Sequence, residues 1–478
     1  MPNSTNEIVL VTDLDHTLIK TDMLYEAFLQ LIKANPFYLI VIPFWLLSGK
    51  SKLKEEIFSR VEIDPAALPY RQSIIEIIKD AKNKGQKIYL ATASHQKIAD
   101  DISNYLDLFD GVFGTHKNLN LKGKNKAEKL INEFGENSFE YIGDNKADLK
   151  IWEKSSAAYV VDLGVGLHKK AEKIVKVKQV IKDEKKSFLK LFIKQIRVYQ
   201  WVKNLLLFIP ALGAHQLDSD IITKIITGFF SFSFIASSVY VTNDLLDLAS
   251  DRVHPRKKNR PLASGDLSLI TGIISAPLLL FAGFGIGVLF LDISFFITLV
   301  IYYVITTLYS FKFKRLVILD ILTLASLYTI RIIAGGAAVS VEISPWLLAF
   351  SMFFFLSLAL VKRYTELLVM KDANKEKASG RGYEVGDSDL VRGFGTASAY
   401  ISVLVFALYA NSEQIMKLYN EPYYFWGIAV LLMYWITRIW FLAHRGKMTD
   451  DPIVFTVKDK ASWLIGLFIA VIGVLAVY

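Results

Sequence analysis

From Trp201 to the end of the chain, apolar segments about as long as a bilayer is thick follow one another with only short polar breaks. A helix needs about 20 mostly apolar residues to cross the hydrocarbon core. In lipid its backbone groups must be satisfied within the segment itself. This region therefore reads as an all-α, polytopic membrane domain. Nine transmembrane helices are expected, at roughly 199–214, 219–243, 267–290, 293–312, 317–338, 345–362, 393–411, 422–443 and 461–478. The loops alternate in charge. Segments 252–260, 312–315, 362–392 and 445–460 are basic, whereas the loops between them offer only Lys417. The positive-inside rule places the basic set in the cytoplasm. A multi-pass protein of the cell's inner (plasma) membrane is expected, with the N-terminus cytoplasmic and Tyr478 external.

Composition agrees. The chain is 53% hydrophobic and only 21% charged, against about 25% charged in soluble proteins. The net charge of +9 suits cytoplasmic loops of a membrane protein. No basic domain with interleaved aromatics is present, so no nucleic-acid partner is expected. With no cysteine in the chain, disulfides, thiolate nucleophiles and cysteine-ligated metals are excluded. The histidines lack metal-ligand spacing, so no zinc site is expected. The pair Gly335-Gly336 reads as a close helix-packing position. An oligomer is compatible with the sequence.

The first 165 residues differ. Short apolar runs at Ile8–Val11, Ile88–Ala91, Val112–Phe113, Phe139–Ile142 and Ala158–Val161 alternate with polar helical stretches. Strands alternating with helices imply an α/β domain with a parallel sheet. The first apolar run is four residues long and ends at Thr12-Asp13, so no secretory leader is expected. A mostly helical insertion at about 20–80 reads as a cap. Its run Phe37–Leu47 is too short to span, and fits cap core better than an interfacial segment. Residues 166–195 are Lys-rich and read as a basic linker or interfacial helix. Residues 196–478 form the membrane domain.

Two constellations carry chemistry. In the first, Ile8–Val11 runs into Asp13-Leu14-Asp15-His16-Thr17. A loop at the carboxyl end of a strand can aim both acids into one crevice, where ligand sites of open α/β sheets lie. Thr92 ends the next strand, Lys126 opens a helical stretch, and Phe139–Ile142 runs into Gly143-Asp144-Asn145-Lys146-Ala147-Asp148. This ordered set resembles the haloacid dehalogenase superfamily of phosphohydrolases. The resemblance implies a Rossmannoid sheet with a helical cap. It implies Asp13 as nucleophile, Asp15 as general acid/base, and Thr92 and Lys126 as holders of the phosphoryl group. Asp144 and Asp148, with Asp13 and the Asp15 carbonyl, would bind Mg²⁺.

In the second, the segment Asn243-Asp244-Leu245-Leu246-Asp247-Leu248-Ala249-Ser250-Asp251 ends the second span. At ~100° per residue, Asp244, Asp247 and Asp251 fall on one helix face. Such a cluster repels itself unless cations occupy it. Acids at a membrane helix end are expensive and point to function. A basic loop follows, Arg252 to Arg260, ending in Arg-Pro-Leu-Ala-Ser-Gly. The pattern resembles the UbiA prenyltransferase superfamily, as do Tyr309-Ser310-Phe311-Lys312 followed by Asp320 and Arg331. Many aromatic prenyltransferases of that superfamily carry a second acid where this chain has Leu324.

A narrower branch fits better. Gln200-Trp201-Val202-Lys203-Asn204, the loop His254-Pro255-Arg256-Lys257, Lys362-Arg363-Tyr364-Thr365-Glu366, and Arg445 to Pro452 together resemble the polyprenyl-phosphate (decaprenyl-phosphate) phosphoribosyltransferases. That resemblance implies phosphoribosyl pyrophosphate as sugar donor and a polyprenyl phosphate lipid as acceptor. Mg²⁺ on Asp244, Asp247 and Asp251 would stabilise the leaving diphosphate. Arg252, Lys257, Lys258 and Arg260 are candidates for the donor phosphates. Lys203, Lys362 and Arg363 are candidates for the acceptor phosphate. Asn204, Asn243, Tyr309, Lys312, Asp320 and Arg331 are candidate substrate-binding residues. Arg331, buried in a span, should face a cavity or a carboxylate. Asp450 and Asp451 read as a loop cap or cation ligands.

The expectation is a bifunctional enzyme that makes polyprenyl-phosphoryl-5-phosphoribose and then removes the 5-phosphate to leave polyprenyl-phosphoryl-ribose. The alternatives are an aromatic prenyltransferase using a prenyl diphosphate, disfavoured by Leu324, and a transporter. A transporter would place ionisable groups at mid-membrane, whereas here they cluster at the cytoplasmic ends.

Overall fold

The computed structural model describes residues 8–116, 121–163, 166–183, 186–372, 382–448 and 451–477. Asp450 and Tyr478 lie outside the described residues. The chain forms two compact units. One joins Met1–Ile196 to Val241–Ser275; the other joins Arg197–Tyr240 to Ala276–Tyr478.

The first unit holds a six-stranded parallel sheet of β1 (Val9–Thr12), β2 (Ile88–His95), β3 (Gly111–Thr115), β4 (Phe139–Gly143), β5 (Ala157–Val161) and β6 (Val177–Ile181), in the order β3-β2-β1-β4-β5-β6. The order reverses between β1 and β4, and a crevice opens at such a reversal, beyond the carboxyl ends of the strands. β1 pairs with both β2 and β4, Leu10 lying opposite Ile88 and Glu140. Both strands are buried along their whole length, which is why they read as continuous rather than alternating apolar runs. β6 lies within the stretch expected to be a linker. It is the last strand in the sheet order, and of its residues only Ile181 is buried while Lys178 and Gln179 are exposed. Lysines on an edge strand guard it against pairing with other chains, so the Lys-rich composition hid the strand.

Three cap helices follow β1: α1 (Met23–Ala34), α2 (Tyr38–Leu47) and α3 (Lys50–Phe58). Asp22 caps α1, accepting from the Leu24 N–H at 2.8 Å. The expectation that Phe37–Leu47 is cap core needs correction. Tyr38, Ile42 and Trp45 pack on the core, but no α2 residue is fully buried. Phe37, Ile40, Phe44 and Leu47 are 65–86% exposed. The run is apolar on every side, so packing one face necessarily leaves another uncovered.

Among the described residues, eight helices are long and apolar enough to cross a membrane, by length and composition. They are Ser219–Leu246, Leu269–Phe290, Ile293–Phe311, Leu319–Val339, Pro345–Asp372, Val385–Ala410, Pro422–His444 and Lys460–Val477. The first expected span is not among them. Val198–Phe208 is a 3₁₀ helix running into the short helix Ile209–Gly213. Lys203 and Asn204 are buried within it and bonded to other segments, so this stretch is fixed by polar partners as well as by apolar packing. Gly335 lets it approach Leu319–Val339 closely, since a Cβ there would lie 2.1 Å from the Leu207 carbonyl oxygen. That is the close-packing role read from Gly335-Gly336.

Candidate active sites

At the carboxyl end of β1, Asp13 accepts from the Leu14 N–H at 2.8 Å and pairs with Lys126 Nζ at 2.9 Å. Lys126 also donates to the Tyr141 hydroxyl at 2.9 Å, which holds a nearly buried ammonium in place. Asp144 and Asp148 follow β4. Asp148 accepts from the Asp144 and Asn145 N–H groups at 3.1 and 2.9 Å, and Thr17 donates to Asp144 at 3.1 Å. One carboxylate oxygen each of Asp13, Asp144 and Asp148 lie within 4.8 Å of one another. Three hard oxygen donors this close suit Mg²⁺. The Asp15 carboxylate is turned elsewhere, accepting from Ser94 at 2.8 Å, the Met23 N–H at 2.8 Å and Thr92 at 3.4 Å.

The electrostatics separate the acids. Burial, then Asp22, pushes the Asp15 carboxyl up to about 7. Burial, then Asp13 and Asp148, pushes Asp144 up to about 8. Burial, then Asp13, pushes Asp148 up to about 6. An acid tuned near neutrality suits proton transfer. A cavity of about 560 Å³ covers these groups, and Tyr25, Leu46, Leu53 and Lys54 of the cap help line it. Ser94 and Lys54 were missed in the sequence. Ser94 stands two residues after Thr92 in β2, and residues i and i+2 of a strand share a face, so the signal was there. Lys54 carries no such signal.

The acids of the second motif do not share one helix. The membrane helix ends at Leu246, Asp247 leaves helical geometry, and a short helix, Leu248–Val253, carries Asp251. Asp244 and Asp251 are nevertheless brought together by Arg260, whose guanidinium lies 2.8 and 2.5 Å from them. Gln195 donates to Asp244 at 2.9 Å, Lys257 lies 3.8 Å from Asp251, and Asp247 pairs with Lys33 at 3.6 Å. Among the described residues these acids do not form a tight trio like that of Asp13, Asp144 and Asp148. Asn243 is half-buried, and Lys258 and Lys257 are exposed. Arg252, expected to bind donor phosphate, is buried instead against Glu26, at 2.6 Å, and donates to the Ala263 carbonyl at 3.0 Å.

Two buried clusters organise the second unit. Arg363 pairs with Asp320 through Nε at 2.6 Å and Nη2 at 3.0 Å, Tyr309 donates to Asp320 at 2.8 Å, and Glu366 takes the third edge of the guanidinium. Arg363 is therefore committed to a carboxylate. In the other cluster, Asp451 receives Lys203 at 2.8 Å, Lys362 at 3.5 Å and the Tyr328 hydroxyl at 3.1 Å, and caps the next helix through the Ile453 N–H at 3.2 Å. Burial alone would raise the Asp451 pKa, but Lys203 and Lys362 outweigh it and hold the carboxyl well below its usual range. Among the described residues Arg331 makes no ion pair with a carboxylate: Asn204 accepts from it at 2.8 Å and Tyr302 at 3.1 Å, with the Phe232 and Tyr302 rings 5.1 Å away. Cation–π contact takes the place of the expected counter-ion. Lys312 is exposed.

Comparison with known proteins bears on the membrane part. Residues 205–476 match the pattern of the UbiA prenyltransferase family. The uncharacterized protein y4nM of Sinorhizobium fredii is 38% identical over 98% of this chain and 91% of its own length. The nodulation protein NoeC of Azorhizobium caulinodans is 33% identical over 56% of this chain and 86% of its own. The decaprenyl-phosphate phosphoribosyltransferase of Mycolicibacterium smegmatis is 31% identical over 59% of this chain and 90% of its own.

Proposed function

Because the chain belongs to the UbiA prenyltransferase family, we propose that it moves the 5-phosphoribosyl group of phosphoribosyl pyrophosphate onto a polyprenyl phosphate, and that its α/β domain then removes the 5-phosphate. The observation that carries the first step is the convergence of Lys203 and Lys362 on Asp451. Two ammonium groups share this one carboxylate, and the net positive charge that remains suits an anionic phosphate acceptor, not a neutral aromatic ring. The likeness to the mycobacterial phosphoribosyltransferase supports the same choice.

In the transfer, the bond from ribose C1 to diphosphate breaks and a bond from C1 to an acceptor phosphate oxygen forms. The acceptor is already anionic, so no strong base is needed. Asp244 and Asp251, which Arg260 draws together, are hard oxygen donors that would hold Mg²⁺, which neutralises a departing diphosphate, while Asp247 is paired with Lys33. Arg260 and Lys257, beside these acids, would bind donor phosphate.

In the hydrolysis, Asp13 attacks phosphorus and forms an aspartyl-phosphate while Asp15 gives its proton to the leaving ribose oxygen. Water then attacks the aspartyl-phosphate, and Asp15 takes a proton back. Lys126 neutralises charge on the phosphoryl oxygens, as phosphoryl transfer requires. Asp13, Asp144 and Asp148 would hold the Mg²⁺ that shares this neutralisation.

The test is incubation of the purified protein with ribose-labelled phosphoribosyl pyrophosphate, a polyprenyl phosphate and Mg²⁺. Label should enter the organic extract as a lipid-linked ribose. Label confined to the aqueous phase overturns the reading.

A further inference from the structure

We propose that α2 seats in the bilayer interface and holds the 560 Å³ cavity at the lipid surface, so that the natural substrate of that cavity is a phosphate monoester carried by a membrane lipid. The proposal rests on the phosphatase reading of the cavity, whose substrate is lipid-linked, and adds the surface that docks the cavity to the bilayer.

The run Phe37–Leu47 contains no charged residue. Its outward residues Phe37, Ile40, Phe44 and Leu47 follow one another at spacings of three, four and three, which is one face of a helix. They are 75, 65, 65 and 86% exposed. Soluble monomers rarely leave such a continuous apolar stripe uncovered. Ten residues of helix span about 15 Å, half the hydrocarbon thickness, so α2 fits lying in the interface plane and cannot cross it.

Three features name the bilayer as occupant. Eight helices of membrane-crossing length lie among the described residues. Lys33, in the last turn of α1 and four residues before Phe37, pairs at 3.6 Å with Asp247, the residue immediately after membrane helix Ser219–Leu246. The turn into α2 thus sits by the end of a membrane helix. The flanks of the stripe are basic in sequence, Lys33 before it and Lys50 and Lys52 after it, as suits anionic headgroups.

The link to substrate is Leu46. It belongs to α2 and also lines the cavity, together with Leu53 and Lys54 of α3. A seated α2 therefore keeps one wall of the cavity at headgroup depth, where a lipid-borne phosphate would reach Asp13 without leaving the membrane.

The chain has no cysteine, so Ile40→Cys and Phe44→Cys each give a single site for a nitroxide on the full-length protein. In vesicles of phosphatidylcholine and phosphatidylglycerol, both labels should be more accessible to oxygen than to an aqueous nickel complex. A label at the exposed Lys84→Cys should show the reverse. Water-like accessibility at 40 and 44 overturns the proposal, and so does spin–spin broadening there, which would mark a second copy as the occupant. In a second arm, Ile40→Glu/Phe44→Glu should hydrolyse the phosphorylated lipid accumulated by Asp13→Asn roughly tenfold or more slowly than wild type, with p-nitrophenyl phosphate hydrolysis unchanged. Equal losses on both substrates overturn the substrate class. A wild type that hydrolyses neither substrate defeats the phosphatase reading instead, and the nitroxide result then decides docking by itself.

Discussion

The Arg252 guanidinium lies 2.6 Å from the Glu26 carboxylate, although 226 positions separate them in the chain. Both side chains are 8% exposed, and Thr21 donates to the same carboxylate at 2.7 Å. Breaking a buried pair by removing one partner leaves an uncompensated charge, at a cost of about 3–5 kcal/mol. Arg252→Met or Glu26→Gln alone should lower the unfolding midpoint of the α/β unit clearly. The double variant Arg252→Met/Glu26→Gln should recover part of the loss. Additive losses would mean that the two groups do not interact.

Asp244→Asn should abolish transfer of ribose 5-phosphate to lipid and leave p-nitrophenyl phosphate hydrolysis intact. Asp244 and Asp251 share Arg260, so the variant removes one of the charges that position that guanidinium as well as a cation ligand. A loss of at least about 100-fold is expected, comparable to loss of a group that stabilises transition-state charge. Wild-type transfer would exclude a catalytic role for this acid.

Asp13→Asn should stop phosphatase turnover and leave the transferase working. The extracted lipid should then carry its 5-phosphate, and be heavier than the wild-type product by one phosphoryl group in mass analysis. Identical lipids from both proteins would show that the α/β domain acts on another substrate.

Three raised carboxyl pKa values set a pH dependence for the metal-free protein. Asp148, Asp15 and Asp144 keep their protons to about 6, 7 and 8 when folded, whereas an unfolded Asp loses its proton near 3.9. The folded state therefore binds more protons, and stability falls as pH rises from about 4 to 8. In EDTA the unfolding midpoint of the α/β unit should decline across this window. Mg²⁺ should restore it most at pH 8, because its ligands must first lose their protons. A metal effect that grows toward acid pH would contradict this assignment.

The segment 198–213 decides on which side the N-terminal part lies. A 3₁₀ helix rises about 2.0 Å per residue, so Val198–Phe208 followed by Ile209–Gly213 covers about 30 Å, the thickness of the hydrocarbon core. It should cross. Ser219–Leu246 then returns the chain, so a reporter fused at the N-terminus should read as cytoplasmic together with residues 252–260. The seven helices after residue 260 should put a reporter fused after the last residue outside in either case. Opposite readings at the N-terminus and at 252–260 would make 198–213 re-entrant.

Legibility in the sequence followed the range of the forces involved. Asp13 and Asp144 directly follow β1 and β4, and Lys126 sits in the first turn of a helix, so local pattern alone located them; Thr92 was located too, although β2 runs past it to His95. β6 was lost because its lysines, useful on a sheet edge, imitate a linker. The helix break at Asp247 was lost because a periodic acidic pattern reads as an unbroken face. No pattern could disclose that Arg252 answers Glu26, or that Asp451 gathers Lys203 and Lys362, since each partner is set by tertiary packing. The exposed face of α2 was misjudged for a related reason: an all-apolar run says that it must be covered, not by what.

The α/β unit is discontinuous: residues 241–275 complete what residues 1–196 begin. A single cut near residue 196 would therefore not liberate it. The returning segment would remain, and with it Arg252 and the charge that Glu26 requires. The two units are thus interleaved along the polypeptide rather than strung end to end. Truncating the N-terminal part strips partners from the loop that bears Asp251 and Arg260, and a change in that loop is felt by the α/β unit.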